Sequence, residues 1–284
     1  YLEKPNKMKR KPIFMAVIND IGYEVKEKLG SHVKVYSGKN QLAEMGSHYA
    51  KLAKARSGQV LSENPSAVAY PIDELINGKW NANFYKAERI NTVNQFSKAR
   101  LPGLRVKSLS DIARFITKER RKKMVDKNTR CISVQHVNED STLKIDEVMN
   151  YSPTGPGIEC YPGEILFSKI NPRIPRVIVV PPIANYRLVC SSEFEIIKPK
   201  EDKYTYLLKT MLLSKVTQKQ VQSLTSGTSS SHNRIKDSEL KRVLVLWPEK
   251  GTSAEKKMLS LAKEIKNEET KRYDSAHRIR TAHI

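Results

Sequence analysis

The stretch from Gly157 to Pro181, GIECYPGEILFSKINPRIPRVIVVP, reads as strand, tight polar loop, strand. Ile165-Leu166-Phe167 is one short apolar run and Val177-Ile178-Val179-Val180 is another. Between them Ser168, Lys169, Asn171, Arg173 and Arg176 are interleaved with Pro172 and Pro175. The prolines stiffen the loop and deny it strand pairing. Its hydroxyl, amide and cations are the groups that hydrogen-bond to phosphates and base edges.

The chain around this stretch has 284 residues, 39% of them hydrophobic, and a net charge of +21. That length fits one good core with appendages, or two small domains. Residues 71–250 hold 31 basic against 19 acidic side chains, so the positive charge runs through the folded middle rather than sitting in a tail. Such a distribution favours a body that binds polyanions; a lysine-rich solvated surface is the plainer alternative. Cys131, Cys160 and Cys190 are odd in number, far apart and each beside an apolar run. They read as small buried residues in a reducing cytoplasm rather than metal ligands or disulfides. No apolar run is long enough to span a bilayer. No signal peptide is visible, and Tyr1 opens a basic polar segment without a methionine, which suggests a piece of a longer protein.

Along the chain, Pro12 to Ile18 reads as a strand and Asn19 to Tyr23 as a turn. Leu42, Met45, Tyr49 and Leu52 fall at helical spacing over Gln41–Arg56, with Gly58 as the stop. Ser108 or Ser110 can cap a short helix whose buried face is Leu109, Ile112, Ala113 and Ile116. Tyr204, Leu207, Leu208, Met211 and Leu212 give an amphipathic helix, which continues through Val216–Leu224. Ser226–Ser231 reads as a flexible polar loop, Asp237–Leu240 as a helical turn and Val243–Pro248 as a closing strand. Thr252–Arg280 lacks Gly and Pro and predicts a long helix, with Ser253 as N-cap and a stripe of Met258, Leu261, Ala262, Ile265, Tyr273 and Ala276.

The Gly157–Pro181 stretch resembles the G-D-I-L-x-S-R-I-N-P…V-x-V-V-P signature of target recognition domains. These occur in specificity subunits of type I restriction-modification systems and at the C-terminus of some methyltransferases. Glu164 stands in place of the Asp and Lys169 in place of the Arg. Ser226, Gly227-Thr228, Ile235, Leu240, Val243, Val245 and Pro248 resemble the family's second signature, in the expected order. Trp80–Tyr85 and Val106–Ala113 resemble its lead-in segments. Upstream, Phe14-Met15-Ala16-Val17, Ile21-Gly22-Tyr23-Glu24 and Gln41–Met45 with Tyr49 resemble the segment just past the catalytic core of N6-adenine methyltransferases. The resemblance implies a catalytic domain ahead of Tyr1.

Catalytic alternatives fare worse. Asn171-Pro172-Arg173-Ile174 lacks the second proline and the aromatic of the adenine methylase loop, which stacks on a flipped base. Glu201-Asp202-Lys203 sits in a turn-like segment without a second acid, so a solvated charge cluster explains it better than a nuclease core. The six histidines are scattered, and Ser229–Ser231 beside His232 lacks a positioned acid. This chain by itself is therefore expected to hold no cofactor and no active site.

The expected DNA contacts are Lys118, Arg120, Arg121, Lys122 and Lys123; Ser168, Lys169, Asn171, Arg173 and Arg176; and Thr228, Ser229, Ser230, Ser231, Asn233 and Arg234. Each group has a plainer reading as a solvated face, a structural loop or a flexible linker. The sequence thus predicts a mixed α+β protein with a small mixed sheet and short helices, followed by a long C-terminal helix. Residues 1–70 form a methyltransferase-like extension, 71–250 the recognition domain and 251–284 a spacer or dimerisation helix. The family resemblance implies double-stranded DNA and a methyltransferase domain or subunit as partners, with a restriction subunit as a further one, in a bacterial or archaeal cytoplasm. S-adenosylmethionine, and Mg2+ or ATP with any nuclease, would belong to the parent complex. Two other readings stand beside it: the C-terminal part of a single-chain adenine-specific methyltransferase or restriction enzyme, and a basic protein-interaction module with a docking helix.

Overall fold

The computed structural model describes residues 11–28, 30–75, 80–98, 101–151, 155–183, 186–225 and 233–281. The chain divides into two compact units, Tyr1–Gln95 and Phe96–Ile284. The expected division after residue 70 falls inside the first unit, at the end of a strand.

In the first unit, β1 (Ile13–Val17) is followed by β2 (Ile21–Lys28), β3 (Ser31–Asn40), α1 (Leu42–Lys51), β4 (Gln59–Ser62), β5 (Ser66–Tyr70) and α2 (Ala87–Lys98), whose last turn passes into the second unit. Strands β1, β5 and β4 make an antiparallel sheet with Met15 opposite Val68. Met15, Val68, Phe84 and Tyr85 form its core, and the Tyr70 and Tyr85 rings lie 4.4 Å apart. The expected turn at 19–23 is shorter than its residue types suggest. Asp20 Oδ1 accepts from Gly22 N at 2.8 Å, and Ile21 already begins a strand with a bulge at Gly22, where φ is +91°. Strands β2 and β3 form a separate two-stranded ribbon, and α1 has no buried residue.

The second unit runs through β6 (Leu104–Ser108), α3 (Leu109–Ile112), β7 (Ala113–Phe115), β8 (Lys122–Lys123), β9 (Thr129–Ile132), α4 (Ile145–Asn150), β10 (Gly157–Glu159), β11 (Ile165–Ser168), β12 (Val177–Val179) and β13 (Arg187–Cys190). Then come β14 (Phe194–Pro199), α5 (Thr205–Leu213), α6 (Lys215–Ser223), α7 (Asp237–Leu240), β15 (Leu244–Pro248) and α8 (Ser253–Thr281). One sheet has the order β8-β10-β13-β9, the other β12-β11-β14-β7, and β15 pairs with β6. The β9–β13 pair is parallel. This is the mixed α+β architecture with a long last helix that the sequence predicts.

The two short apolar runs of the opening stretch are the antiparallel neighbours β11 and β12, with Leu166 opposite Ile178. Leu166, Ile178 and Ile196 join Ile132, Ile158, Leu188 and Phe194 in one core. Ile165, Phe167 and Ile197 point the other way and are buried too. Burial on both faces explains why these strands read as continuous apolar runs without alternation. The three cysteines lie in or beside this core, and burial pushes the Cys131 thiol up to about 11. A hydrogen bond with Cys190 and burial raise the Cys160 thiol as well, so both are protonated and unreactive at neutral pH.

The capping residues follow side-chain chemistry. Ser108 caps α3 in a reciprocal capping box with Asp111. The helical run after Tyr204 is two helices, broken at Ser214, whose hydroxyl caps α6. The cap of α8 is Thr252 rather than Ser253: its Oγ1 accepts from Glu255 N at 3.2 Å. Along α8, Met258, Leu259 and Ala262 pack with Tyr204 and Leu207, and Tyr273 reaches the main core. Leu261 and Ile265 from the expected stripe point to solvent, 51% and 36% exposed. Polar anchors set this rotation. Glu255 accepts from Tyr204 and from Lys203, the latter at 2.8 Å, and Glu269 pairs with buried Lys209 of α5.

Candidate nucleic-acid interface

The loop between β11 and β12 is held by main-chain hydrogen bonds. Ser168 N donates to Arg176 O at 2.9 Å and closes its neck. Lys169 N donates to Glu193 O, Asn171 N to Asn233 O and Ile235 N to Lys169 O, at 2.9, 2.9 and 3.0 Å. Asn171 takes a left-handed φ of +46°, a conformation that asparagine tolerates better than most residues. The segment at 233–235 therefore lies along the 168–176 loop, joining two stretches that the sequence assigned separately to DNA. Thr228, Ser229, Ser230 and Ser231 lie outside the described residues.

Beneath the loop is a network of charges. Lys169 Nζ lies 3.7 Å from Glu195 and 3.6 Å from Asp237, and Lys118 Nζ lies 3.1 Å from Asp237. Arg234 holds Glu193 with two hydrogen bonds, of 3.0 and 2.8 Å. Burial pushes the Glu195 carboxyl up to about 7, and the negative charge of Asp237 adds to the shift. Burial opposes ionisation of Asp237 as well, but hydrogen bonds with Lys118 and Glu195 and the charge of Lys169 outweigh it and lower that carboxyl. Glu193 is lowered by its bond to Arg234.

The expected contact residues thus separate by environment. Ser168 is buried, its Oγ donating to Ile170 O at 3.1 Å. Arg176 Nε donates to Val137 O at 3.1 Å. Arg120 pairs with Glu164 at 2.5 Å and stacks over the Tyr161 ring at 4.3 Å. These side chains, with Lys169 and Arg234, hold protein groups. Arg121, Lys122, Lys123 and Arg173 are exposed, and no ion pair engages them among the described residues. Lys122 and Lys123 form the short edge strand β8. An edge strand with outward lysines can present ammonium groups to phosphates without disturbing its sheet.

Two further arginines, Arg130 and Arg187, were not singled out in the sequence. Arg130 lies 3.9 Å over the Tyr186 ring, and Arg187 reaches Asp126 at 3.1 Å and Met124 O at 3.3 Å. The parallel register of β9 and β13 sets Arg130 opposite Leu188 and Thr129 opposite Arg187. The register therefore places the two arginines on opposite faces of this strand pair, and each is tied to a group of its own, Arg130 to Tyr186 and Arg187 to Asp126. Among the described residues no group of His, Cys, Asp and Glu has the arrangement of a metal site, and no helix is long and apolar enough to cross a membrane.

No family model matches the chain, and no curated protein matches it. Among solved structures it is similar to the HsdS subunit from Thermoanaerobacter tengcongensis, at 14% identity and a TM-score of 0.40, over 64% of this chain and 46% of that one. It is also similar to a chain from a structure described as the basis of complex assembly and conformational transition of the type I R-M system, at 16% identity and a TM-score of 0.37, again over 64% and 46%. The chain thus spans about half the length of the solved structures to which it is similar.

Proposed function

We propose that this chain recognises a sequence in double-stranded DNA for a restriction-modification system, and so directs an associated or fused N6-adenine methyltransferase. The observation that carries the reading is the pinned 168–176 loop. Its backbone is fixed to Asn233 and Ile235, so exposed Arg173 stands on a preorganised support. Rigid presentation of a planar cation is what bidentate reading of a guanine edge requires. Arg121, Lys122 and Lys123 supply sequence-independent phosphate contacts. Methyl transfer, with its S-adenosylmethionine, belongs to the associated methyltransferase, and any Mg2+ or ATP to an attached nuclease. The setting is a bacterial or archaeal cytoplasm. Leu261 and Ile265 on the outer face of α8 offer a seam for a sister helix or a second copy.

Fluorescence anisotropy with random-sequence and selected duplexes tests this, with the partner methyltransferase present. Arg121→Ala, Lys122→Ala and Lys123→Ala together should weaken every duplex alike. Arg173→Ala should change which sequence is preferred. Binding that is insensitive to salt, or blind to sequence in the native chain, would sink the reading and favour a protein-interaction module.

A further inference from the structure

Among the described residues the β2–β3 ribbon of the first unit joins no third strand. Its register sets Tyr23 opposite Tyr36, Val25 opposite Lys34 and Glu27 opposite His32, so His32, Lys34 and Tyr36 alternate onto one face of β3 with Tyr23 beside them. Tyr36 is 70% exposed and Tyr23 47%. The two rings meet edge to face at 5.6 Å, and Lys34 Nζ sits 3.9 Å from the Tyr23 ring centre. Among the residues whose side chains are described, no ion pair engages Lys34 or His32. A two-stranded ribbon is marginal in water by itself, and an exposed aromatic ridge gains from being covered.

Charge indicates what covers it. Residues 21–56 carry seven Lys and Arg against three Glu. An apolar protein face would bring Lys34 no counter-charge of its own. A phosphate backbone supplies one, while the tyrosine rings pack on sugars. The major groove of B-DNA also admits a two-stranded β-ribbon. We propose that the β2–β3 ribbon is a second, sequence-independent contact for double-stranded DNA, made by Lys34, Tyr36 and Tyr23. It lies in a different unit from the loops assigned to sequence reading and does not rest on that assignment.

The full chain carrying Lys34→Ala and Tyr36→Ala should bind a random-sequence duplex about tenfold more weakly, with the salt slope reduced by about one. Sequence preference should not change. Lys34→Arg with Tyr36→Phe should retain binding, and Lys34→Glu should weaken it further, with the same far-ultraviolet circular dichroism throughout. Native affinity and slope in the double alanine variant would overturn the proposal and assign the ridge to a protein partner. A native chain that binds duplex without sequence preference would overturn the reading of the second unit and leave this one standing.

Discussion

Glu195 shows how much one side chain decides. It is buried in β14 between Thr117, Lys169 and Asp237, and its carboxyl is pushed up to about 7. The folded-state value lies above that of an unfolded glutamate, so the folded chain holds this proton more tightly. The stabilisation is complete below the ordinary carboxylate range and disappears as pH rises through about 7. Glu195→Gln should therefore match the native protein in acid and exceed it in mild alkali. The gap should reach a few kcal/mol at most, since a tenfold change in affinity for a proton is worth about 1.4 kcal/mol. Chemical denaturation in acid and in mild alkali checks this; a gap that does not widen with pH would exclude Glu195 as the titrating group. Lys169→Ala removes the cation shared by Glu195 and Asp237. It should lower stability by about 1–3 kcal/mol, as for a buried polar group left without its partner. Arg234→Ala should cost less, since its pair with Glu193 is largely solvated. Both costs are visible in melting experiments without DNA, which separates a loop-holding role from base reading.

At the scale of elements, β10 depends on its first residue. A Cβ at Gly157 would meet Val189 Cγ2 at 2.5 Å and Cβ at 2.7 Å. Val189 is fully buried on β13 and cannot swing away. Gly157→Ala should cost about 1–3 kcal/mol through overpacking and loosen β8, which hangs on β10. Loss of the α8 cap in Thr252→Ala should cost about 1 kcal/mol, read as a lower melting temperature. Elements set by local periodicity were legible in advance: α5 with Leu207, Leu208 and Leu212 inside, the serine cap of α3, which falls to Ser108 of the two candidates, and the β11–β12 hairpin. Elements set by distant partners were not. The rotation of α8 follows from buried Lys209 and from Tyr204, which no apolar stripe reveals. The candidate site divides in the same way. Composition marks Lys118–Lys123 as basic, but only the fold separates Arg120, paired with Glu164, from exposed Arg121 beside it. Arg120 differs from its neighbours because Glu164, 44 residues on, and Tyr161 lie within its reach, and a run of cations does not reveal such distant partners.

For the whole molecule, the net charge of +21 sets expectations about salt. Four exposed cations, Arg121, Lys122, Lys123 and Arg173, neutralising about four phosphates predict a log–log salt slope of about −4 for the second unit's contact. The triple alanine variant should flatten that slope by about 3, measured by anisotropy across a salt series. A native slope near zero would mean that the charge serves solubility rather than binding.

The pairing of β6 with β15 fixes where the chain enters and leaves. Leu104 lies opposite Pro248 and Ser108 opposite Leu244, so the polypeptide enters and leaves this globular body through one doorway. A body whose ends are neighbours can be spliced into, duplicated in or exchanged between longer proteins without stretching the host chain. Residues 104–248 are closed at both ends by this pairing, and α8, which packs on Tyr204 and Leu207, is the part of the body that lies beyond the closure.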